Sequence, residues 1–207
     1  MPRPRSLTPA AIAHAALTVL DREGTAGLSM RTVAAQLDMS TMALYKYVTG
    51  REQLERLVVA LVLDPVEADV PLAACWADRV TLLVMRLRDA ASAHPHAIPL
   101  LLAHRHTATK SLRWMESMLV ALTDAGFTGR ERVVAQRTLV NYLIGAVQAE
   151  YLASLAAAGT EAMAALPADT FPHLASTARA AQDVLPADEF RQGLAIVLNG
   201  LTTILRS

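Results

Sequence analysis

Hydroxyl, amine and aromatic side chains are concentrated between Ser40 and Tyr47, in the sequence Ser-Thr-Met-Ala-Leu-Tyr-Lys-Tyr. On a helix, Leu44 and Val48 would share one face, which leaves the polar and aromatic groups on the other. Threonine and lysine can hydrogen-bond base edges or phosphates, and methionine can contact a thymine methyl group. A helix exposed only for solubility would more often carry glutamate and lysine than two tyrosines. The pattern therefore indicates a surface that reads double-stranded DNA.

The preceding residues predict the element that would hold this surface. Ser29 is a preferred N-cap residue, and Val33 and Leu37 recur at helical spacing after it. Asp38 stands where the chain must reverse, and aspartate tolerates the left-handed conformation better than most residues. Ser40 supplies a second N-cap. Two short helices joined by a tight turn, with the second helix polar outside, are typical of a helix-turn-helix DNA-binding unit.

Two kinds of DNA contact are expected from this unit. Base reading is assigned to the first residues of the second helix and to the amine that follows them, namely Thr41, Met42, Ala43 and Lys46. Phosphate anchoring is assigned to hydroxyl and basic groups around them, namely Arg31, Ser40, Tyr45, Tyr47 and Arg51. The arm that contains Arg3 and Arg5 either reaches a minor groove or is a solvated tail.

Composition predicts an all-α protein of two functional parts. Of the 207 residues 53% are apolar and only 4% aromatic, and the formal net charge is zero. Residues 1–51 carry a net charge of +3, so the remainder carries −3. A basic head on a mildly acidic body suits a binder that makes a few local phosphate contacts on selected sequences. A neutral total argues against a protein that coats nucleic acid.

Helical periodicity and helix-ending residues place the domain boundary. A helix beginning with Arg51 is stopped by Asp64-Pro65, so residues 1–65 form a DNA-binding domain with a linking helix. Residues 66–207 form a larger helical domain, and residues 159–186 are interpreted as a loop with one short helix over 171–181. The other helices of this domain are expected near 73–93, 97–106, 109–126, 129–158 and 187–205.

The helices near 131–158 and 187–205 are apolar on more than one face. Such surplus apolar surface usually marks an obligate interface, which predicts a homodimer through these two helices, although both faces could also be ordinary core. The apolar positions assigned to the interface are Leu139, Tyr142, Leu143, Ala146, Val147, Leu194, Leu198, Leu201 and Leu205.

Residues 12–62 resemble the N-terminal domain of the TetR family of bacterial repressors. The resemblance is carried by Leu-Ser-Met-Arg at 28–31, Val-Ala-Ala-Gln-Leu at 33–37, Ala-Leu-Tyr-Lys-Tyr-Val at 43–48 and Arg-Glu-Gln-Leu at 51–54. Asp38 departs from the glycine that is usual in the family. The resemblance implies a three-helix head whose contacts are those assigned above and a dimer built as a four-helix bundle. It also implies release from a palindromic operator when a small molecule binds the body.

The body most resembles the tetracycline-repressor-like subclass, although its ligand positions differ. The positions of the subclass's metal-binding histidine, acidic partner, drug-binding asparagine and aromatic pocket residue fall on Leu101, Ala149, Leu83 and Leu87. A magnesium–tetracycline complex is therefore not expected, and neither a metal nor a cofactor is predicted. A mostly apolar effector is expected instead, although each candidate residue could equally be core. The candidates are Leu83, Leu87, Leu101, His104, Trp114, Met118, Asn141, Tyr142 and Gln148.

Other classes of site are weakly indicated or excluded. His94, His96, His104 and His106 lack the spacing of metal ligands and are interpreted as surface or loop residues, and Cys75 as a small buried hydrophobe. The sequence shows no signal peptide or membrane span, so a cytoplasmic protein is expected. Two rival functions stay open: a ligand-independent DNA-binding regulator and a helical enzyme, for which no catalytic motif is visible.

Overall fold

The computed structural model describes residues 7–155 and 157–205, and these residues form α-helices, turns and a single 3₁₀ turn over Pro95–Ala97, without a β-strand. The predicted all-α class is therefore confirmed. The arm with Arg3 and Arg5 lies outside the described residues. The helices are α1 Pro9–Gly27, α2 Met30–Gln36, α3 Thr41–Leu44, α4 Arg51–Val62, α5 Trp76–Ala93, α6 Ile98–His104, α7 Thr109–Asp124, α8 Gly129–Leu155, α9 Ala157–Ala164, α10 Pro172–Ala181 and α11 Pro186–Ile204.

Internal packing divides the chain into two compact units, one up to Ala121 and one from Leu122 onwards. The first unit contains α1 to α6 and most of α7, because α1 and α4 pack on each other and also contact the 94–104 segment. The functional boundary predicted near residue 65 is a different division and stays a prediction. The predicted boundary lies just after the end of α4 at Val62.

Capping residues start helix α1, and a glycine breaks it near its end. The Thr8 hydroxyl accepts a 3.2 Å hydrogen bond from the Ala11 amide, and Pro9 occupies the first turn. At Gly24 the helix is broken by a φ of 68°, a conformation that costs glycine little, and a helical segment continues beyond it to Gly27.

The second unit contains α8 to α11, and it overturns two sequence interpretations. Most apolar residues assigned to a dimer interface are buried inside this single chain, because α8 and α11 pack on each other; they are Leu139, Leu143, Val147, Leu194, Leu198 and Leu201. The segment 159–186 is also less of a loop than expected. Residues 157–164 form helix α9, because its alanines, Glu161 and Met163 are good helix formers. Helix α9 precedes the predicted short helix, α10, and packs against it.

Cys75 was interpreted as a buried hydrophobe, and this is wrong. The residue is exposed and occupies the N-cap position of α5, where its Sγ accepts a 3.4 Å hydrogen bond from the Asp78 amide. Its position just before a helix in a stretch without other N-cap candidates explains this placement. In the described residues no helix is long and apolar enough to cross a membrane.

Candidate nucleic-acid interface and ligand-binding body

The helix-turn-helix begins with a reciprocal cap on α2. The Ser29 hydroxyl accepts from the Thr32 amide at 3.2 Å, and the Thr32 hydroxyl oxygen accepts from the Ser29 amide at 3.0 Å. The Thr32 hydroxyl also donates to the carbonyl oxygen of Gly27 at 2.7 Å. These bonds satisfy amides that a helix start leaves without partners, and they fix the entry of the chain into the motif.

The turn between the two motif helices depends on Asp38. Its φ is 53°, the only positive φ of a non-glycine residue in the described part of the chain. The left-handed conformation predicted for this position is thereby confirmed. The Met39 amide then donates to the Ala34 carbonyl oxygen at 3.0 Å, and the Ser40 hydroxyl caps α3 by accepting from the Ala43 amide at 3.2 Å.

The second motif helix presents its polar and aromatic side to solvent. Leu44 and Val48 are buried, whereas Met42 is 76% exposed and Tyr45 and Tyr47 are each 49% exposed. Lys46 is exposed as well, and Thr41 and Ala43 are half-buried. The α-helix itself is short, Thr41–Leu44, and a turn over residues 45–47 extends it. The residues proposed to read DNA thus lie on one outward surface.

The basic and hydroxyl residues proposed as phosphate anchors differ in their availability. Arg31 and Ser40 are exposed on the motif. Arg51 is engaged within the chain: its Nη2 donates to the Thr25 carbonyl oxygen at 3.0 Å, and its Nε donates to Oε1 of Glu55 at 2.8 Å. The side chain of Arg51 is half-exposed, so these contacts leave part of the guanidinium facing solvent.

Glu55 joins α4 to α6. Its second carboxylate oxygen accepts a 3.1 Å hydrogen bond from Nε2 of His104, a residue that is only 9% exposed. Burial alone would raise the pKa of Glu55, but the hydrogen bonds and positive charges of Arg51 and His104 outweigh it and hold the pKa below its usual value. The interpretation of His104 as a surface or loop residue is therefore wrong.

Two more histidines contact the first helix. Nδ1 of His94 lies 2.9 Å from Oδ2 of Asp21, and Nδ1 of His96 lies 3.0 Å from the Asp21 carbonyl oxygen. Both acceptors are oxygens without a proton, so each ring must donate from Nδ1. The interpretation of these residues as surface or loop histidines missed their pairing. Asp21 and Glu55 were also missed, although Glu55 stands four residues after Arg51, the spacing of a helical ion pair.

Comparison with known proteins identifies the family to which this chain belongs. Residues 71–205 match the family model described as the tetracyclin repressor-like C-terminal domain. A regulator of Saccharopolyspora erythraea, named an HTH-type transcriptional regulator, is 31% identical over 144 residues, which are 70% of this chain and 61% of that protein. The chain belongs to the TetR family of transcriptional regulators.

Two further relatives support this assignment. The HTH-type transcriptional repressor DrrR1 of Streptomyces coeruleorubidus is 30% identical over 150 residues, 72% of this chain and 55% of that protein. The alignments thus span little more than half the length of these two named relatives. The crystal structure of apo ActR from Streptomyces coelicolor superposes with a TM-score of 0.80 at 26% identity and covers 98% of each chain.

ActR has also been solved with small molecules bound. Its complex with (S)-DNPA is 27% identical to this TetR-family chain, with a TM-score of 0.78, and covers 95% of this chain and 98% of that one. Its complex with actinorhodin is 26% identical, with a TM-score of 0.79, and covers 98% of this chain and all of that one.

Six of the residues predicted to bind a ligand lie in the first unit of this TetR-family regulator. Leu83, Trp114 and Met118 are buried, and the indole Nε1 of Trp114 donates to the Leu83 carbonyl oxygen at 2.8 Å. Leu87 and Leu101 are half-buried. His104 is committed to Glu55 through Nε2. The structure thus brings Leu83 and Trp114 together and gives His104 a structural partner.

The other three lie on α8 in the second unit. Asn141 and Tyr142 line a groove of about 790 Å³ between α8 and α11. Gln148 is exposed on α8 but is not among the residues that line this groove. The hydroxyl of Tyr142 is used within the chain, since it donates to the Phe190 carbonyl oxygen at 2.7 Å. The groove is completed by Gly145, Ala146, Ala149, Glu150, Pro186, Glu189 and Phe190. Asn141 is therefore the exposed polar group of the predicted set that lines this groove.

Proposed function

We propose that this TetR-family regulator is a repressor that binds a palindromic DNA operator as a homodimer and is released by a small, mostly apolar molecule. The observation that carries the DNA-binding part is the outward side of α3. Met42 is exposed while Leu44, two residues later, is fully buried. A large apolar side chain held in water on a capped helix is suited to contact bases in the major groove.

The contacts divide into base-reading and phosphate-anchoring groups. Thr41, Met42, Ala43 and Lys46 would face the bases, because they lie on and just after the N-terminal turn of α3. Arg31, Ser40, Tyr45 and Tyr47 would hold the phosphates, as exposed hydroxyl and basic groups around that turn. Arg51 was placed in the phosphate set from the sequence, but its guanidinium already contacts Thr25 and Glu55 within the chain.

Dimerisation is supported by apolar side chains that α8 and α11 leave in solvent. These are not the residues assigned from the sequence, most of which are buried within the chain; they are Val133, Val134, Leu152, Ile196 and Ile204. Ile196 is the most exposed of these side chains, at 72%. A partner that packs on α8 and α11 would cover this surface. The two-fold symmetry of such a dimer would make the operator a palindrome, with two half-sites about one helical turn, ~34–36 Å, apart.

Release by a small molecule is supported by the relatives and by the body's apolar interior. ActR binds (S)-DNPA and actinorhodin in its solved complexes. The residues that replace the metal and drug ligands of the tetracycline-repressor-like subclass include Leu83, Leu87 and Leu101, which favours an organic effector held by apolar contacts. Near-complete reversal of operator occupancy needs about 10⁴-fold preference of the effector for the released state.

The test is selection of binding sites from random duplex DNA with the purified full chain. An enriched inverted repeat, bound by two chains per duplex in sedimentation experiments, is the expected result. Selection that enriches no sequence would contradict the proposal. (S)-DNPA and actinorhodin are the first effector probes, and weakened operator binding on their addition, measured by fluorescence anisotropy, would support release of this kind.

A further inference from the structure

Arg51 connects the end of α1 to the beginning of α4. Thr25 lies just beyond the break at Gly24, in the segment that leads into the helix-turn-helix. Arg51 Nη2 donates to its carbonyl oxygen over a gap of 26 residues, while Nε of the same guanidinium donates to Glu55. A guanidinium presents its donors in a fixed plane, so two such bonds in different directions define its orientation.

Glu55 continues this connection to α6. One carboxylate oxygen accepts a hydrogen bond from Arg51 and the other accepts one from His104, so both oxygens have a protein partner. Its side chain is 17% exposed, and that of His104 is 11% exposed. In such a partly buried setting an ion pair is less screened than on the surface, and loss of one partner leaves the others poorly satisfied.

We propose that Arg51 and Glu55 are positioning residues for DNA recognition. The chain of contacts Thr25–Arg51–Glu55–His104 holds the end of α1, the start of α4 and the end of α6 in one arrangement, in which α3 is presented for operator binding. This role rests on the proposed function and extends it. Arg51 would then act through the geometry of the head, and the charge that it offers to phosphates would be secondary.

The two roles of Arg51 make opposite predictions for Glu55. If Arg51 mainly bound a phosphate, loss of the Glu55 charge would free the guanidinium and leave operator affinity unchanged or higher. If Arg51 mainly positions the head, the same loss would weaken operator binding, because the guanidinium loses one of its two fixed partners. The salt dependence of binding adds a second distinction, since each lost phosphate contact lowers the slope of log K against log salt by about one.

The experiment measures operator affinity at several salt concentrations for Glu55→Gln, Arg51→Ala and the double variant, with the full chain and the operator selected for the wild type. We expect each single variant to weaken binding by about tenfold with an unchanged salt slope, and the double variant to be no weaker than either. Glu52→Gln is the matched control. It removes the same charge from the same helix, where Glu52 pairs with Arg56 at the surface, and should change affinity less than twofold.

Two results would overturn the inference: unchanged or tighter binding by Glu55→Gln, or additive losses with a salt slope reduced by about one in Arg51→Ala. His104 provides a second route if Glu55→Gln does not fold. His104→Gln keeps a side-chain donor and should bind within about threefold of wild type, whereas His104→Leu should lose about tenfold. Equal affinity of these two variants would also contradict the inference. A wild-type chain that selects no operator would instead refute the proposed function itself.

Discussion

The hydroxyl of Tyr142 on α8 donates a 2.7 Å hydrogen bond to the main-chain carbonyl oxygen of Phe190 on α11. Their rings also pack, with centroids 5.3 Å apart and planes tilted by 38°. Gly193 lies one helical turn after Phe190, and a Cβ at this position would collide with the Tyr142 hydroxyl and press on its ring. The approach of α8 and α11 is therefore set by an aromatic residue on one helix and the lack of a side chain on the other.

Gly193→Ala should destabilise the protein by about 1–3 kcal/mol, because the added methyl overpacks the contact with Tyr142. Chemical denaturation measures the loss. Tyr142→Phe in the same chain removes the hydroxyl that the methyl would strike, so the double variant should be more stable than additivity predicts. Gly200→Ala is the control on the same helix, since a Cβ there meets nothing within 4 Å. The oligomeric state of the Gly200→Ala variant should be measured as well. If Gly200→Ala lost as much stability as Gly193→Ala, overpacking against Tyr142 would not explain the loss.

Asp38→Gly should keep or raise stability, by up to about 1 kcal/mol, because φ of 53° is strained for aspartate and free for glycine. Asp38→Val should lower stability by at least ~1 kcal/mol, since a β-branched side chain tolerates this conformation poorly. Thermal unfolding monitored by circular dichroism distinguishes the three chains. A glycine variant less stable than the valine variant would show that the turn conformation is not the limiting factor.

Ser40 combines a helix cap with a predicted phosphate contact, and substitution can separate the two. Ser40→Ala should lose about 1 kcal/mol of stability and weaken operator binding. Ser40→Asp should keep the stability, since aspartate caps helices as well as serine does, yet bind the operator more weakly through repulsion of phosphate. Parallel denaturation and anisotropy titrations give both quantities. Operator affinity of Ser40→Asp equal to wild type would place Ser40 away from the DNA backbone.

The stability contributed by Glu55 should depend on pH in the acidic range. Its pKa is lower in the folded chain than the ordinary value of 4.5, so the unfolded chain takes up a proton more readily as pH falls. The stabilisation is therefore complete above pH ~4.5 and declines below it, toward the folded pKa. Glu55→Gln should cost about 1–2 kcal/mol at pH 7, and the gap from wild type should narrow in urea titrations below pH ~4. A gap that stays constant with pH would indicate a packing effect instead of a charge effect.

Operator selection tests the division of α3 into base-reading and phosphate-holding groups. Thr41→Ala and Lys46→Ala should change the enriched sequence, because each removes a group proposed to contact a base edge. Tyr45→Phe should weaken binding to all sites alike and keep the sequence preference, since the hydroxyl is assigned to a phosphate. Parental motifs selected by both Thr41→Ala and Lys46→Ala would refute the base-reading assignment.

Local patterns determined most of the helix-turn-helix. Ser29, Asp38 and Ser40 act on amides and dihedral angles within a few residues, and Leu44 and Val48 report burial through helical periodicity alone. The helical residues 159–164 were missed because they were assigned to one loop with the proline-, threonine- and aspartate-containing stretch that follows them, although their own residues favour a helix.

What the sequence by itself determined were the all-α class, the caps and turn of the motif, and the outward face of α3, because these depend on interactions between near neighbours in the chain. Only the tertiary structure decided that His104 pairs with Glu55 over 49 residues, and that Leu139 and Leu194 belong to the chain's own core. An apolar helix face has the same periodicity whether it packs on its own chain or on a partner. A histidine likewise carries no local mark of the carboxylate that folding brings to it.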